Sequence, residues 1–375
     1  LSKRIISWIS NLKLTYEEGE ENYKYQFNSI IQKQINHLIY EINRSEHVDD
    51  KMIGCTAIIL SGLCFKDEKY INYGLDLLIE IKKYSFDNEN FPKSRSFRQL
   101  TFYLKYFVLI RELLKESQNQ IPEYIDEIIF YLGKGYNLLW QNTKQSFLFN
   151  GNHDSDYSDF DKYLQFHGYK FKNETNEIGG YTILKNKNIT IAMDIGSNPE
   201  KKFSSNYQSG ALSFELSHLK EKIICNSGYF QNFKHRLNNI SKSTATHSTL
   251  ILDNTSMTKF KKELNGYSTI EKNFKILNKK IINEKNIMEV TAAHNAYQKK
   301  YGIIHERKLK FYSENNKLIG EDKLIKKKNF RSTNFEIRFH LLPKAKVTKT
   351  QDGNIILIEL ENSGWKFTAN NHLID

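Results

Sequence analysis

The spacing of apolar residues changes period once along this chain, and that change limits the folds open to it. Before residue 149, apolar positions recur every three or four residues. Leu100, Tyr103, Leu104, Phe107, Ile110, Leu113 and Leu114 mark the clearest amphipathic helix. A second helical pattern runs from about Pro122 to Trp140, with proline suited to a first helical turn. Beyond residue 165 the period becomes two. Leu212, Phe214 and Leu216 alternate with Ser213, Glu215 and Ser217, as in a strand with one buried face. Similar short runs occur at 181–184, 189–194, 247–252, 309–312, 335–342 and 355–360, bounded by Gly, Asn and Asp. This pattern predicts an α+β multidomain chain: helices over 1–149, a polar linker over 150–165, and an antiparallel β-sandwich over 166–375. The helical half fits a toroid, a bundle or a solenoid equally well.

Charge and cysteine usage narrow the function classes. Lys and Arg total 55 against 43 Asp and Glu, a net charge of +12 that suits anionic partners. A genome-wide drift toward Lys, Asn and Ile produces the same excess. No nucleic-acid-binding motif accompanies it, so nucleic acid is not expected as a partner. Cys55, Cys64 and Cys225 show neither metal-binding spacing nor an even number for a disulfide framework, and Cys55 and Cys64 read as core residues. No apolar run reaches the ~20 residues needed to span a membrane. Phosphate-binding glycine loops, GxSxG, HExxH and CxxC are all absent.

Polar residues of the strand region stand in a recognisable order. ALSFELS (211–217), CNSG (225–228) and TATHSTLILD (244–253) are followed by AHNAYQKKYGIIHERKL (293–309), GED (320–322) and FEIRFHLLP (335–343). This series resembles the C-terminal β-domain of the heparinase II/III polysaccharide lyases. The resemblance implies an α/α toroid for the helical half and an acidic, uronate-containing polysaccharide as partner. It also implies a cell-envelope or periplasmic setting. The chain opens on Leu1-Ser2-Lys3 inside a helical pattern and reads as an N-terminally truncated piece, so a secretion signal would lie upstream.

Uronate lyases work by β-elimination. The sugar carboxylate is neutralised, a base takes the C5 proton, and an acid protonates the departing oxygen. His247 matches the family histidine and is the first catalytic candidate. Tyr297 and His305 suit base and acid, and Arg95, in the Ser94-Arg95 remnant of a toroid loop, suits the carboxylate. Pro92 stands where the loop's histidine is expected. Gln208, Asn226, Glu215 and Arg307 are candidate substrate contacts, and Arg307 shares a strand face with His305. Glu215 and Asp322 equally suit an internal network. Some relatives hold a structural zinc through residues matching Gln208, Asn226 and His247. Two amides replace an imidazole and a carboxylate here, so no metal or other cofactor is expected. The alternative to a carbon–oxygen lyase is a family member that binds an anionic glycan without cleaving it.

Overall fold

The computed structural model describes residues 1–45, 47–264, 266–351 and 353–370. The helical region comprises α1 (Ser2–Ser10), α2 (Leu12–Thr15), α3 (Glu21–Ile42), α4 (Val48–Phe65), α5 (Glu68–Ser85), α6 (Phe97–Glu116) and α7 (Glu123–Tyr136). A single π-turn over Asn137–Gln141 follows α7, and α8 spans Ser158–Phe166. The chain divides into two compact units: Leu1–Pro92 with Gln99–Lys134, and Lys93–Arg98 with Gly135–Asp375.

In the first unit α4 is buried on every side from Met52 to Gly62, as expected for a helix whose sequence is apolar all round. Gly74 of α5 lets the two backbones close up, since a Cβ there would lie 2.4 Å from Ile59. Ion pairs from Lys82 to Glu127 and from Arg111 to Asp126, each 2.5 Å, join α5 and α6 to α7. Cys55 is buried, whereas Cys64, read from sequence as core, is exposed near the end of α4.

The second unit begins before the change of period read from the sequence. Rather than a free linker, residues 150–165 include most of α8, whose buried Asp161 accepts hydrogen bonds from Tyr136 (3.0 Å), Trp140 (3.1 Å) and Gln141 (3.1 Å) of the π-turn region. Then come β1 (Glu177–Ile178), β2 (Tyr181–Lys185), β3 (Ile189–Asp194), β4 (Phe214–His218) and β5 (Glu221–Ile224), α9 (Arg236–Ser241), β6 (Leu250–Leu252), β7 (Phe260–Lys262), β8 (Ser268–Ile270), β9 (Ile276–Asn283), β10 (Ile287–His294), α10 (Gln298–Tyr301), β11 (Ile303–Tyr312), β12 (Lys317–Lys326), β13 (Phe335–Ile337), β14 (Lys346–Lys349), β15 (Ile355–Glu359) and β16 (Gly364–Thr368). The strand orders are β1-β2-β3-β4-β5, β12-β11-β10-β9, β13-β6, β14-β15-β16 and β7-β8. Every pairing is antiparallel.

The two largest sheets face each other across one core. Ile191, Met193, Phe214 and Leu216 come from one side, and Met288, Val290, Leu309 and Phe311 from the other, with Trp365 packed against them. β4 departs from its half-buried reading, because Glu215 and Ser217 on its second face are buried too. Residues 145–148 cover that face. Leu148 N–H donates to Glu215 (3.0 Å), Gln145 bonds Ser217, and Lys222 donates to the Ser146 carbonyl (2.6 Å).

Removing a large aliphatic side chain between the sheets leaves a cavity. Leu309→Ala is expected to lower stability by about 3 kcal/mol, read by denaturant unfolding followed by circular dichroism, while Leu264→Ala, on a fully exposed side chain, leaves it unchanged.

Candidate functional site

Inward-facing polar side chains of the second unit form three hubs. On β11 the inward positions are His305, Arg307, Leu309 and Phe311, so two polar groups share a face with the apolar core. Arg307 lies opposite Asp322 of β12 in register. Its Nε and Nη2 donate to the two Asp322 oxygens (2.8 and 3.0 Å), and Nη1 donates to the Leu212 and Ser248 carbonyls (2.9 and 2.8 Å). Burial opposes the Asp322 charge, but Arg307 and His305 bring its pKa below the usual carboxylate range.

His305 faces His294 of β10 in register, and their partners fix both tautomers. The Ala296 N–H donates to His294 Nδ1 (3.2 Å), leaving the proton on Nε2. That Nε2–H donates to His305 Nδ1 (3.2 Å), and His305 Nε2–H in turn donates to Asp322 (2.6 Å). Both rings are fully buried, and burial foremost lowers both pKa values, so they stay neutral.

The second hub is Glu215, which is fully buried. Its Oε1 accepts from Leu148 N (3.0 Å), Asn226 N (3.1 Å) and Asn226 Nδ2 (3.2 Å), and Oε2 accepts from Lys222 (3.0 Å). Asn226 Oδ1 accepts from Ser248 N (2.9 Å), which engages both ends of that amide.

Arg95 forms the third, in a left-handed backbone conformation (φ +59°). It donates to the carbonyls of Gly179 (3.1 Å), Gly180 (3.1 Å) and Ser197 (3.0 Å) and to Asp194 (2.5 Å). Its guanidinium lies 4.9 Å over the Tyr181 ring, whose hydroxyl donates back to the Arg95 carbonyl (2.5 Å).

The remaining candidates are also enclosed. Tyr297 is 2 % exposed and donates to the Leu250 carbonyl (3.2 Å); burial raises its pKa. Gln208 accepts from Gly151 N (3.1 Å) and donates to the Gly228 and Ser241 carbonyls (2.9 and 2.7 Å). His247 does not open a strand. It follows a 3-10 turn, Thr244–Thr246, and precedes β6. Its Nδ1–H donates to the Ser243 carbonyl (2.8 Å), and its ring packs on Gly210, where a Cβ would lie 2.5 Å from it. Nε2 is buried and has no partner. Burial lowers the His247 pKa to about 4.

Gln208, Asn226 and His247 do not make a zinc site. The amide oxygens of Gln208 and Asn226 each accept a backbone N–H group, and neutral amides supply neither the charge nor the basicity that zinc prefers. Among the described residues no group of three or more His, Cys, Asp or Glu is placed to hold a metal ion.

The strand-rich region has a counterpart in known proteins. A family model described as heparinase II/III-like, C-terminal, matches residues 176–374. The chain belongs to the heparinase II/III-like family. Its fold matches a mutant of heparan sulfate lyase HepC from Pedobacter heparinus with a TM-score of 0.75 and 14 % identity, over 96 % of this chain and 58 % of that one. It matches heparinase III with a TM-score of 0.73 and 15 % identity, over 96 % and 60 %. The helical region followed by antiparallel sheets is thus an architecture shared with these structures, and the chain spans about three fifths of their length. No curated protein matches it in sequence. Among the described residues no helix is long and apolar enough to cross a membrane.

Outside these hubs, Gln231 Nε2 lies 2.9 Å from His153 Nδ1, a contact between residues far apart in sequence that no strand pattern signals.

The buried neutral imidazoles give the fold an acid sensitivity of definite sign. Unfolded histidine takes up a proton near pH 6.5, whereas folded His247 takes none until about pH 4. The unfolded chain then holds more protons, so stability falls as pH drops through this window, and His294 and His305 act in the same direction. Denaturation midpoints taken from neutral pH to pH 4 are expected to decline, and His247→Gln to make the decline shallower; a flat profile contradicts the burial argument.

Proposed function

We propose that this chain acts on an acidic, uronate-containing polysaccharide by β-elimination, as a carbon–oxygen lyase of the cell envelope or periplasm. Family membership carries the reading. A fold similar to a heparan sulfate lyase and a net charge of +12 support it. In this reading the C5 proton passes to a protein base, the C4–O bond breaks, C4 and C5 become doubly bonded, and a protein acid protonates the leaving oxygen.

One observation favours a second reading, binding without cleavage. Arg95, Tyr297, His305, Arg307, Gln208, Asn226 and Glu215 are all buried and hydrogen-bonded to other parts of the protein. A base must reach the proton it abstracts, and none of these is free to do so as placed. Their role in the proposal is to frame the unit.

The two readings separate in one assay. Elimination conjugates the new double bond with the carboxylate, and the product absorbs ultraviolet light. Full-length protein is incubated with heparan sulfate, chondroitin, hyaluronan and polyglucuronate, and binding is measured in parallel. Absorbance growing on at least one polymer is the expected result. Binding without absorbance selects the second reading, and neither signal on any polymer rejects both.

A further inference from the structure

Two segments of the second unit that are far apart in sequence meet at a pair of stacked rings. Phe233 and Tyr267 lie with centroids 4.3 Å apart and planes 25° from parallel. Phe233 belongs to the stretch that leads into α9. Tyr267 closes the hairpin of β7 and β8, where its carbonyl accepts the Glu263 N–H (2.8 Å). Gly266, at φ +87°, lets the hairpin tip reach the first ring, since a Cβ there would lie 3.0 Å from Phe233. Both rings are half-buried, so each keeps part of its surface in solvent.

The contact is framed on both sides. Asn239 Oδ1 of α9 accepts from Ser268 Oγ of β8 (3.2 Å). Buried Lys242, just past α9, donates to the Ser205 and Ser268 carbonyls (2.5 and 2.9 Å). Phe230 N–H donates to Ser241 Oγ (3.2 Å) and Asn238 Nδ2 to the Phe230 carbonyl (2.6 Å), which closes the 230–241 stretch on itself.

Charge around the rings is one-sided. Residues 229–243 contain no Asp or Glu, and Lys234 and Arg236 are exposed there. The Lys234 ammonium lies 6.0 Å from the Phe233 centroid. Arg236 stands three residues before Asn239, on the side of α9 that meets β8. In the hairpin Lys261 pairs with Thr269 in register, and Glu263 and Tyr267 stand opposite each other two places on, so Lys261 and Tyr267 share a face. Glu263 is engaged by Lys201 (2.9 Å) and by Thr269 (2.6 Å). Among the described residues Lys234, Arg236 and Lys261 form no ion pair.

We propose that Phe233, Tyr267, Lys234, Arg236 and Lys261 form a docking surface for an acidic polysaccharide. The ring pair offers an apolar footing for the C–H face of a sugar ring, and the three cations meet its carboxylate or sulfate groups. A bilayer fits less well, because Phe230 and Phe233 lie outside α9 and the apolar residues of 230–240 do not line one helix face. The sugar part of this assignment rests on the polysaccharide reading above, while the polyanion part stands on the unpaired cations.

The test measures binding of heparan sulfate, polyglucuronate and inorganic polyphosphate to the full chain by calorimetry. A triple variant combines Lys234→Gln, Arg236→Gln and Lys261→Gln. A control removes the same charge from exposed lysines elsewhere, as Lys280→Gln with Lys317→Gln and Lys328→Gln. The triple variant is expected to weaken polysaccharide binding about tenfold, and the control to weaken it less than about twofold. Phe233→Leu is expected to weaken polysaccharide binding about threefold and to leave polyphosphate, which has no sugar ring, unchanged. Unfolding midpoints are taken on every variant. The charge variants alter exposed side chains only, so they decide the matter even where Phe233→Leu lowers its midpoint.

Equal losses in the triple variant and the control, or none in either, overturn the site and leave the polysaccharide reading intact. Full polysaccharide affinity in folded Phe233→Leu overturns the sugar-ring contact. No polysaccharide binding by the unaltered protein, with polyphosphate binding lost in the triple variant alone, removes the polysaccharide reading and leaves a polyanion surface. Capture by phosphatidylglycerol vesicles that the triple variant loses, without polysaccharide binding, overturns the assignment in favour of a lipid surface.

Discussion

Much of the second unit depends on one buried guanidinium. Arg307 enters a core lined by Leu309 and Phe311 and makes four hydrogen bonds there. Two go to Asp322 on the neighbouring strand, one to the carbonyl of Leu212 ahead of β4, and one to the carbonyl of Ser248 ahead of β6. It therefore joins the facing sheets and the turn that carries His247. A buried ion pair contributes little net stability against a well-packed apolar pair, yet it is costly to break, because the abandoned partner stays buried and charged. Its value lies in register: strands that present Arg307 and Asp322 at any other pairing leave both charges unmatched.

Glu215 and Arg95 repeat this design at other joints. Glu215 ties the segment at Leu148 and the β5 exit at Asn226 to the second face of β4. Arg95 fastens its own loop to the turns on either side of β2 and β3. These buried polar residues thus hold loops in place.

The period change, the strands around 181–194 and the facing of His305 and Arg307 were all legible in the sequence, since alternation and helical spacing report burial directly. β9 and β12 were not, because they are the edges of their sheet. Lys279, Lys280, Lys317 and Lys323 leave them without a clear apolar face, as solvent-facing edge strands commonly are. His247 read as a strand residue because Leu250–Leu252 continue its alternation, but the 3-10 turn before it needs tertiary partners to form. Alternation likewise made Glu215 look solvent-facing, since nothing local reveals that residues 145–148 cover it.

A double-mutant cycle on Arg307 and Asp322, read by denaturant unfolding, tests most directly whether these polar residues are a structural frame. Arg307→Met and Asp322→Asn are each expected to cost about 3–5 kcal/mol, and the double variant to be little worse than either. Small, additive losses would contradict the frame and return both residues to the list of groups available for chemistry.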